Sequence, residues 1–187
     1  MVEKKIILGI DPGTNLLGYG VIEVQGNKLI YVGMGEIKLG MYENHGDKLQ
    51  AIYRRISELI EGFKANIVSI EAPFYGKNAQ SMLKLGRAQG VAIAAALGKG
   101  LKVYEYEPRK IKQSIVGNGA ASKEQVAKML ESILGKKLEA KSLDATDGLA
   151  AAVCHQFQFA PKEFGTPKGK SASGWKAFLS NNPDRLK

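Results

Sequence analysis

The sequence predicts a single α/β domain built on a five-stranded mixed sheet, an antiparallel three-stranded meander continued by parallel strands, with helices on its faces. Three observations carry this. A short continuous apolar run, Ile6 to Ile10, stops at the turn signal Asp11-Pro12-Gly13, as a strand covered on both faces should. Two further strand-like segments, Tyr19 to Val24 and Leu29 to Leu39, are joined by Gln25-Gly26-Asn27, which reads as a hairpin. Beyond them the pattern switches to helical spacing and back, the signature of a crossover to a parallel strand.

The totals fit one domain. The chain has 187 residues, 44% of them apolar, enough for a real core but short for two domains. The first residues hold only a six-residue apolar run, too short for a signal peptide or a membrane span, so a cytoplasmic protein without membrane association is expected. One cysteine, Cys154, excludes an intramolecular disulfide and a Cys-based zinc site. Lys plus Arg is 27 against 18 Asp plus Glu, a net +9, which favours a polyanionic partner. Residues 161–187 carry six Lys or Arg and two acids, so most of the excess belongs to the part before them.

After the meander, Leu49, Ile52, Tyr53, Ile56, Leu59, Ile60 and Phe63 follow helical spacing behind Asp47 as a candidate cap, and Ile67 to Ile70 returns to strand character. Asn78 to Leu97 reads as a long helix whose second half is apolar on every side; such a helix belongs in a core or against a second subunit. Val103 to Tyr106 reads as a fifth strand, followed by helices at about Arg109–Ile115, Ser122–Leu134 and Ser142–Gln158. The domain is therefore placed at 1–160. Residues 161–174 have linker composition, and Trp175, Phe178 and Leu179 have the i, i+3, i+4 spacing of a short helix at 175–180 that docks on the domain.

Chemistry concentrates in four carboxylates. Asp11 and Glu71 each terminate a buried apolar strand, and parallel strands bring those ends together. Either residue alone is an ordinary turn or loop acid. Together they repel and resist desolvation unless a cation neutralises them, and an all-oxygen site suits Mg²⁺ or Mn²⁺. Asp144 and Asp147 lie three apart at the start of the last helix and share a face. Acids are favoured in a first helical turn in any case. However, Gly148, Ala150, Ala151 and Ala152 leave that helix with small side chains, free to approach the sheet and carry both acids to the strand ends. Four converging carboxylates fit two-metal hydrolysis of a phosphodiester, with no covalent enzyme intermediate. His45, in a polar loop, and Cys154-His155, late in an Ala-rich helix, read as structural, although His155 shares the Asp147 face.

Gly117 to Ala121 leads into Ser122-Lys123-Glu124-Gln125, a capping-box spacing. A lysine beside a glycine-flexed helix start suits phosphate, while a solvated lysine explains Lys123 and Lys112 equally well. Phe74 follows Glu71 in a loop with Tyr75 and Lys77, where an aromatic ring can stack on an unpaired base or pack beneath its own loop.

The segments GIDPGTNLLGYGVI, IEAPFYGKNAQSMLKLGRAQGVAIAAAL, YEPRKIKQSIVGNGAASKEQV and LDATDGLAAAVCH together resemble the RuvC-type crossover-junction endodeoxyribonucleases, Holliday-junction resolvases of the ribonuclease-H-like superfamily, over nearly everything to about residue 158. The resemblance implies that Asp11, Glu71, Asp144 and Asp147 form the catalytic and metal site, with two Mg²⁺ per site for which Mn²⁺ can substitute. It also implies that Lys112, Lys123 and Phe74 contact DNA, and Lys77, beside Phe74, is a further DNA-binding candidate. A homodimer, paired symmetric nicks in recombination and repair, and a branch-migration helicase partner follow from the family. Ala72-Pro73 after Glu71 departs from the polar residue expected there, and the stretch after 160 matches no family motif. Two rivals stand beside this. A sugar-kinase or actin-like ATPase shares the Gly-Ile-Asp-x-Gly-Thr loop but needs a second such domain. An RNA-processing or non-catalytic nucleic-acid-binding member of the same fold makes less use of a complete carboxylate set.

Overall fold

Alternation along the first strand decides which side of the sheet each layer occupies. In the computed structural model of the chain, which describes residues 4–73, 78–138 and 143–159, β1 is Lys5–Asp11. Its Leu8 and Ile10 point into one core and its Ile7 into the other, the period of two that a pleated strand imposes. Strands β2 (Leu16–Gln25) and β3 (Lys28–Lys38) complete an antiparallel meander. Strands β4 (Ile67–Glu71) and β5 (Lys102–Tyr106) extend the sheet in parallel on the other side of β1. The order is β3-β2-β1-β4-β5, the mixed sheet expected from the sequence. Gly26 takes φ 57° at the β2–β3 turn, a left-handed conformation that glycine adopts without a Cβ penalty.

Helix α1 (His45–Phe63) supplies the crossover from β3 to β4. Its cap is Asn44, whose side chain accepts a hydrogen bond from the Asp47 amide. Asp47 thus sits inside the first turn instead of capping it, and His45 opens the helix; the start lies three residues earlier because Asn44 is itself a good cap and accepts from an orphan amide of that earlier turn. Helix α2 (Ala79–Gly98) is capped by Asn78. It is not buried all round: Ala88, Ala92, Ala95 and Ala96 pack inward beside α1, while Ala94 is exposed and Leu83 and Leu97 are 63% and 58% exposed. The alanines make that inner face narrow, so the remaining apolar side chains are left on the outside.

The opposite face of the sheet is covered by α5 (Leu143–Phe159), with α3 (Pro108–Val116) and α4 (Lys123–Leu134) beyond it. Helix α4 begins with a complete capping box between Ser122 and Gln125. Helix α5 is buried almost throughout, from Ala145 to Gln156. No helix among the described residues is long and apolar enough to cross a membrane. The short helix expected at 175–180, and the division between domain and tail near residue 160, fall outside the described residues or at their margin.

Candidate active site

Asp11 is the last residue of β1 and Glu71 the last of β4. Because Ile10 pairs with Ile70 in parallel register, the two acids stand side by side. Alternation directs both to the α5 face: Ser69, two residues before Glu71, donates its hydroxyl to the Ala151 carbonyl at 2.7 Å, and Gly9, two before Asp11, meets the α5 backbone.

The approach of α5 is what brings in the second pair of acids. A Cβ built on Gly9 would lie 2.1 Å from the Gly148 carbonyl oxygen, one on Gly18 1.9 Å from that of Asp144, and one on Gly20 2.3 Å from the Leu149 Cα. No side chain fits in those gaps, so the helix backbone rides on the sheet backbone. Asp144 and Asp147, in the opening turns of α5, then arrive beside the end of β1. Carboxylate oxygens of Asp11, Asp144 and Asp147 all lie within 4.8 Å of one another. Glu71 is outside that tight group but lines the same open cavity of about 340 Å³ with Asp11, Asp147, Lys112 and Lys123.

The electrostatics show a surplus of negative charge. Burial, and next the neighbouring Glu71 and Asp147, push Asp11 up to about 8. Burial and then Asp147 push Glu71 up to about 7. Asp147 is also raised, by burial, against the opposing pull of Lys123. Lys123 reaches the pair from the start of α4, its Nζ 2.5 Å from Asp147 Oδ2 and 3.1 Å from Asp144 Oδ1. Burial opposes its charge, but the hydrogen bonds and charges of Asp147 and Asp144 outweigh that and hold its pKa above the ordinary lysine value. Lys123 and, more distantly, Lys112 are too little for four carboxylates, two of which keep raised pKa values despite them, and all the donors are hard oxygens. The residues present therefore fit a bound divalent cation.

Of the eight residues singled out from the sequence, Asp11, Glu71, Asp144, Asp147, Lys112 and Lys123 are brought to this mouth. Phe74 and Lys77 lie outside the described residues. His155 turns away into the core. It is buried, its Nδ1 lies 2.9 Å from the Tyr106 hydroxyl, and its ring packs against Tyr104 and Phe159 at 4.4 and 4.7 Å between centroids. Burial, and then nearby Lys5, push its pKa down to about 4, as suits a neutral structural imidazole. Cys154 is buried as well, and burial raises its thiol. The glycines of the sheet, Gly9, Gly18 and Gly20, were not among the residues expected to matter. Their signal was present in the alternate spacing of Gly18 and Gly20, which puts two gaps on one strand face.

Comparison with known proteins converges on one family. A family model described as "Crossover junction endodeoxyribonuclease RuvC" matches residues 7–155. A protein of that name from Christiangramia forsetii is 52% identical over 185 residues, covering 99% of this chain and 94% of the relative. Another from Cytophaga hutchinsonii is 53% identical over 183 residues, covering 98% and 88%. Among solved structures, T. thermophilus RuvC in complex with Holliday junction substrate superposes with a TM-score of 0.76 at 34% identity, over 82% of this chain and 94% of that one.

Proposed function

Since the chain belongs to the RuvC family of crossover junction endodeoxyribonucleases, we propose that it resolves four-way (Holliday) DNA junctions in recombination and repair, by paired symmetric nicks made through metal-dependent phosphodiester hydrolysis. The observation that carries the site assignment is the convergence of Asp11, Asp144 and Asp147 within 4.8 Å, with Glu71 on the same wall. These four residues hold two Mg²⁺, replaceable by Mn²⁺, and the ions supply Lewis acidity and neutralise charge that builds on the phosphoryl oxygens.

The protein's own groups do the rest. The β1 and β4 ends and the first turns of α5 fix the carboxylates on rigid elements, so little reorganisation is needed when the phosphodiester arrives. Lys112 and Lys123 border the cavity and present cations to the scissile phosphate and its neighbours. Phe74 and Lys77, which follow Glu71 in the sequence, are further DNA contacts in this reading, an aromatic ring being suited to an unpaired base at the junction. No side chain becomes covalently attached to DNA.

A four-way junction offers two equivalent strands, and one domain carries one such site, so a two-fold homodimer is the natural assembly. The outer face of α2, with Leu83, Ala94 and Leu97 exposed, supplies an apolar surface for it. A branch-migration helicase complex is the expected partner, in the cytoplasm, and residues 161–187 follow the nuclease domain as a basic C-terminal segment. The test presents the purified protein with a four-way junction, a linear duplex and an RNA–DNA hybrid of matched sequence, with and without Mg²⁺. Cleavage of the junction alone, and only with Mg²⁺, is expected. Equal cleavage of all three sinks the resolvase reading, and preference for the hybrid favours an RNA-processing role.

A further inference from the structure

At the end of the domain opposite the carboxylates lies a second groove, of about 1060 Å³, which the nuclease reading does not use. It is formed where the β2–β3 turn, the last turn of α3, the outer side of α4 and the end of α5 meet, and Leu29, Ile30, Val116, Met129, Ile133 and Phe157 supply its apolar lining. Lys28 is the one charged residue among those lining it, so neither a phosphate backbone nor an acidic peptide has much to hold. Ile30 and Met129 are 37% and 38% exposed, side chains that a partner of hydrocarbon character would cover. Helix α5 runs between the two ends of the domain: from Asp144 and Asp147 to the groove-lining Phe157, a rise of about 1.5 Å per residue puts roughly 15 to 20 Å along the helix between the carboxylate mouth and this groove.

The chain itself supplies a fitting occupant. Helix α5 ends at Phe159, two residues after the groove-lining Phe157, so residues 160–187 leave the domain beside the groove. Fifteen residues, 160–174, fourteen of them of linker composition, then separate Phe159 from Trp175; a flexible stretch of that length spans on the order of 20 Å, enough to fold back over the groove. Trp175, Phe178 and Leu179 stand at i, i+3 and i+4 just before Asn181-Asn182-Pro183, which gives one helical turn an apolar stripe and then a stop. We propose that residues 175–179 pack into this groove of their own chain, Trp175, Phe178 and Leu179 covering Ile30, Met129 and Ile133, with the basic linker looped over the surface.

Trp175 is the only tryptophan in the chain, so its emission reports the docking directly in the full-length protein. Relative to the urea-unfolded chain, the folded protein should show a blue-shifted emission maximum and several-fold weaker quenching by acrylamide. Met129→Glu and Ile30→Glu, both at half-exposed positions and checked for folding by circular dichroism, should each shift the maximum to the red and restore strong quenching. Met41→Glu, at a 77% exposed position away from the groove-lining residues, should change neither. Native emission and quenching equal to those of the unfolded chain overturn the proposal, as does a blue shift that ignores both groove variants. Mixing the Met129→Glu protein with a Trp175→Phe chain, whose groove is intact, tests for exchange between copies. Recovery of the blue shift there makes a second copy the occupant and overturns packing within one chain; no recovery supports it.

Discussion

The two faces of the sheet are built by different rules. Against α1 and α2 the sheet presents Leu8, Ile10, Val68 and Ile70, and branched aliphatic side chains such as Ile52 and Ile56 fill the layer between. Against α5 it presents Gly9, Gly18 and Gly20, and no side chain fits between the backbones at those points. The first layer can absorb a change of volume by repacking, as cores of ordinary aliphatics do. At the glycine contacts the second has only backbone and Cβ atoms, which cannot move aside. The difference shows where the fold spends its geometric precision: the α5 face sets the position of Asp144 and Asp147 relative to Asp11, and the α1–α2 face supplies bulk burial.

The largest effect expected from breaking this arrangement is at the carboxylates themselves. Asp11→Asn should lower the cleavage rate by about 1000-fold or more, since ion-assisted charge stabilisation contributes several kcal/mol, while junction affinity measured by gel shift stays near wild type because the basic surface is untouched. Loss of binding in parallel with cleavage would place Asp11 in the DNA contact instead. Next comes the glycine contact that fixes α5. Gly18→Ala puts a methyl group where the Asp144 carbonyl lies 1.9 Å away, and overpacking against backbone should destabilise by about 3 kcal/mol. The displaced acids should also lower cleavage by about 100-fold. Ile56→Val on the other face, at a fully buried position, should cost about 1 kcal/mol and leave cleavage unchanged once corrected for folded fraction. Denaturant unfolding and cleavage of both variants test the asymmetry directly, and equal catalytic losses would erase it.

That asymmetry also governs how much could be read from the sequence. The strand ends were legible, because Asp11 and Glu71 each close an apolar run and the crossover through α1 makes those runs parallel neighbours. Small residues in α5 indicated a close approach. The reciprocal glycines on β1 and β2 went unread, since a glycine in a strand carries the same letter whether it faces solvent, a bulge or a helix, and only the register shows which. Likewise, the spacing of Lys123 in its capping box left phosphate and solvent equally open, and the packing of α4 against α5 turned it towards Asp144 and Asp147. The all-apolar half of α2 pointed to burial on every side, but the pattern could not say that alanines would satisfy one face and leave Leu83 and Leu97 outside.

A smaller effect follows from the charge crowded at the mouth. The pKa values of Asp11 and Glu71, about 8 and about 7, lie above their ordinary values near 4, so without added metal the folded state holds more protons than the unfolded state between about pH 4 and 8. Stability must then fall as pH rises through that window. With solvent screening at an open cavity, the loss from pH 5 to 8.5 should be about 2 kcal/mol. Millimolar Mg²⁺ should flatten the slope by favouring the ionised carboxylates. Thermal unfolding across this range with EDTA and with Mg²⁺ checks it. A slope of the opposite sign, or one that Mg²⁺ leaves unchanged, would mean that Lys123 alone neutralises the site. The glycine-lined face would then be shaped to hold a lysine.

Lys112 gives the smallest expected change and the sharpest separation between holding ions and holding DNA. It lines the cavity from α3, and its charge lowers the pKa values of both Glu71 and Asp147, so it touches the site electrostatically without being a candidate metal ligand. If its main task is a phosphate contact, Lys112→Ala should weaken junction binding about fivefold at moderate salt. It should also reduce the slope of log affinity against log salt by about 1, the loss of one counterion-releasing contact. Titrations at several salt concentrations with the Asp11→Asn protein as background keep cleavage from interfering. An unchanged slope, together with a raised Mg²⁺ requirement for cleavage, would instead place Lys112 with the carboxylates as part of the charge balance.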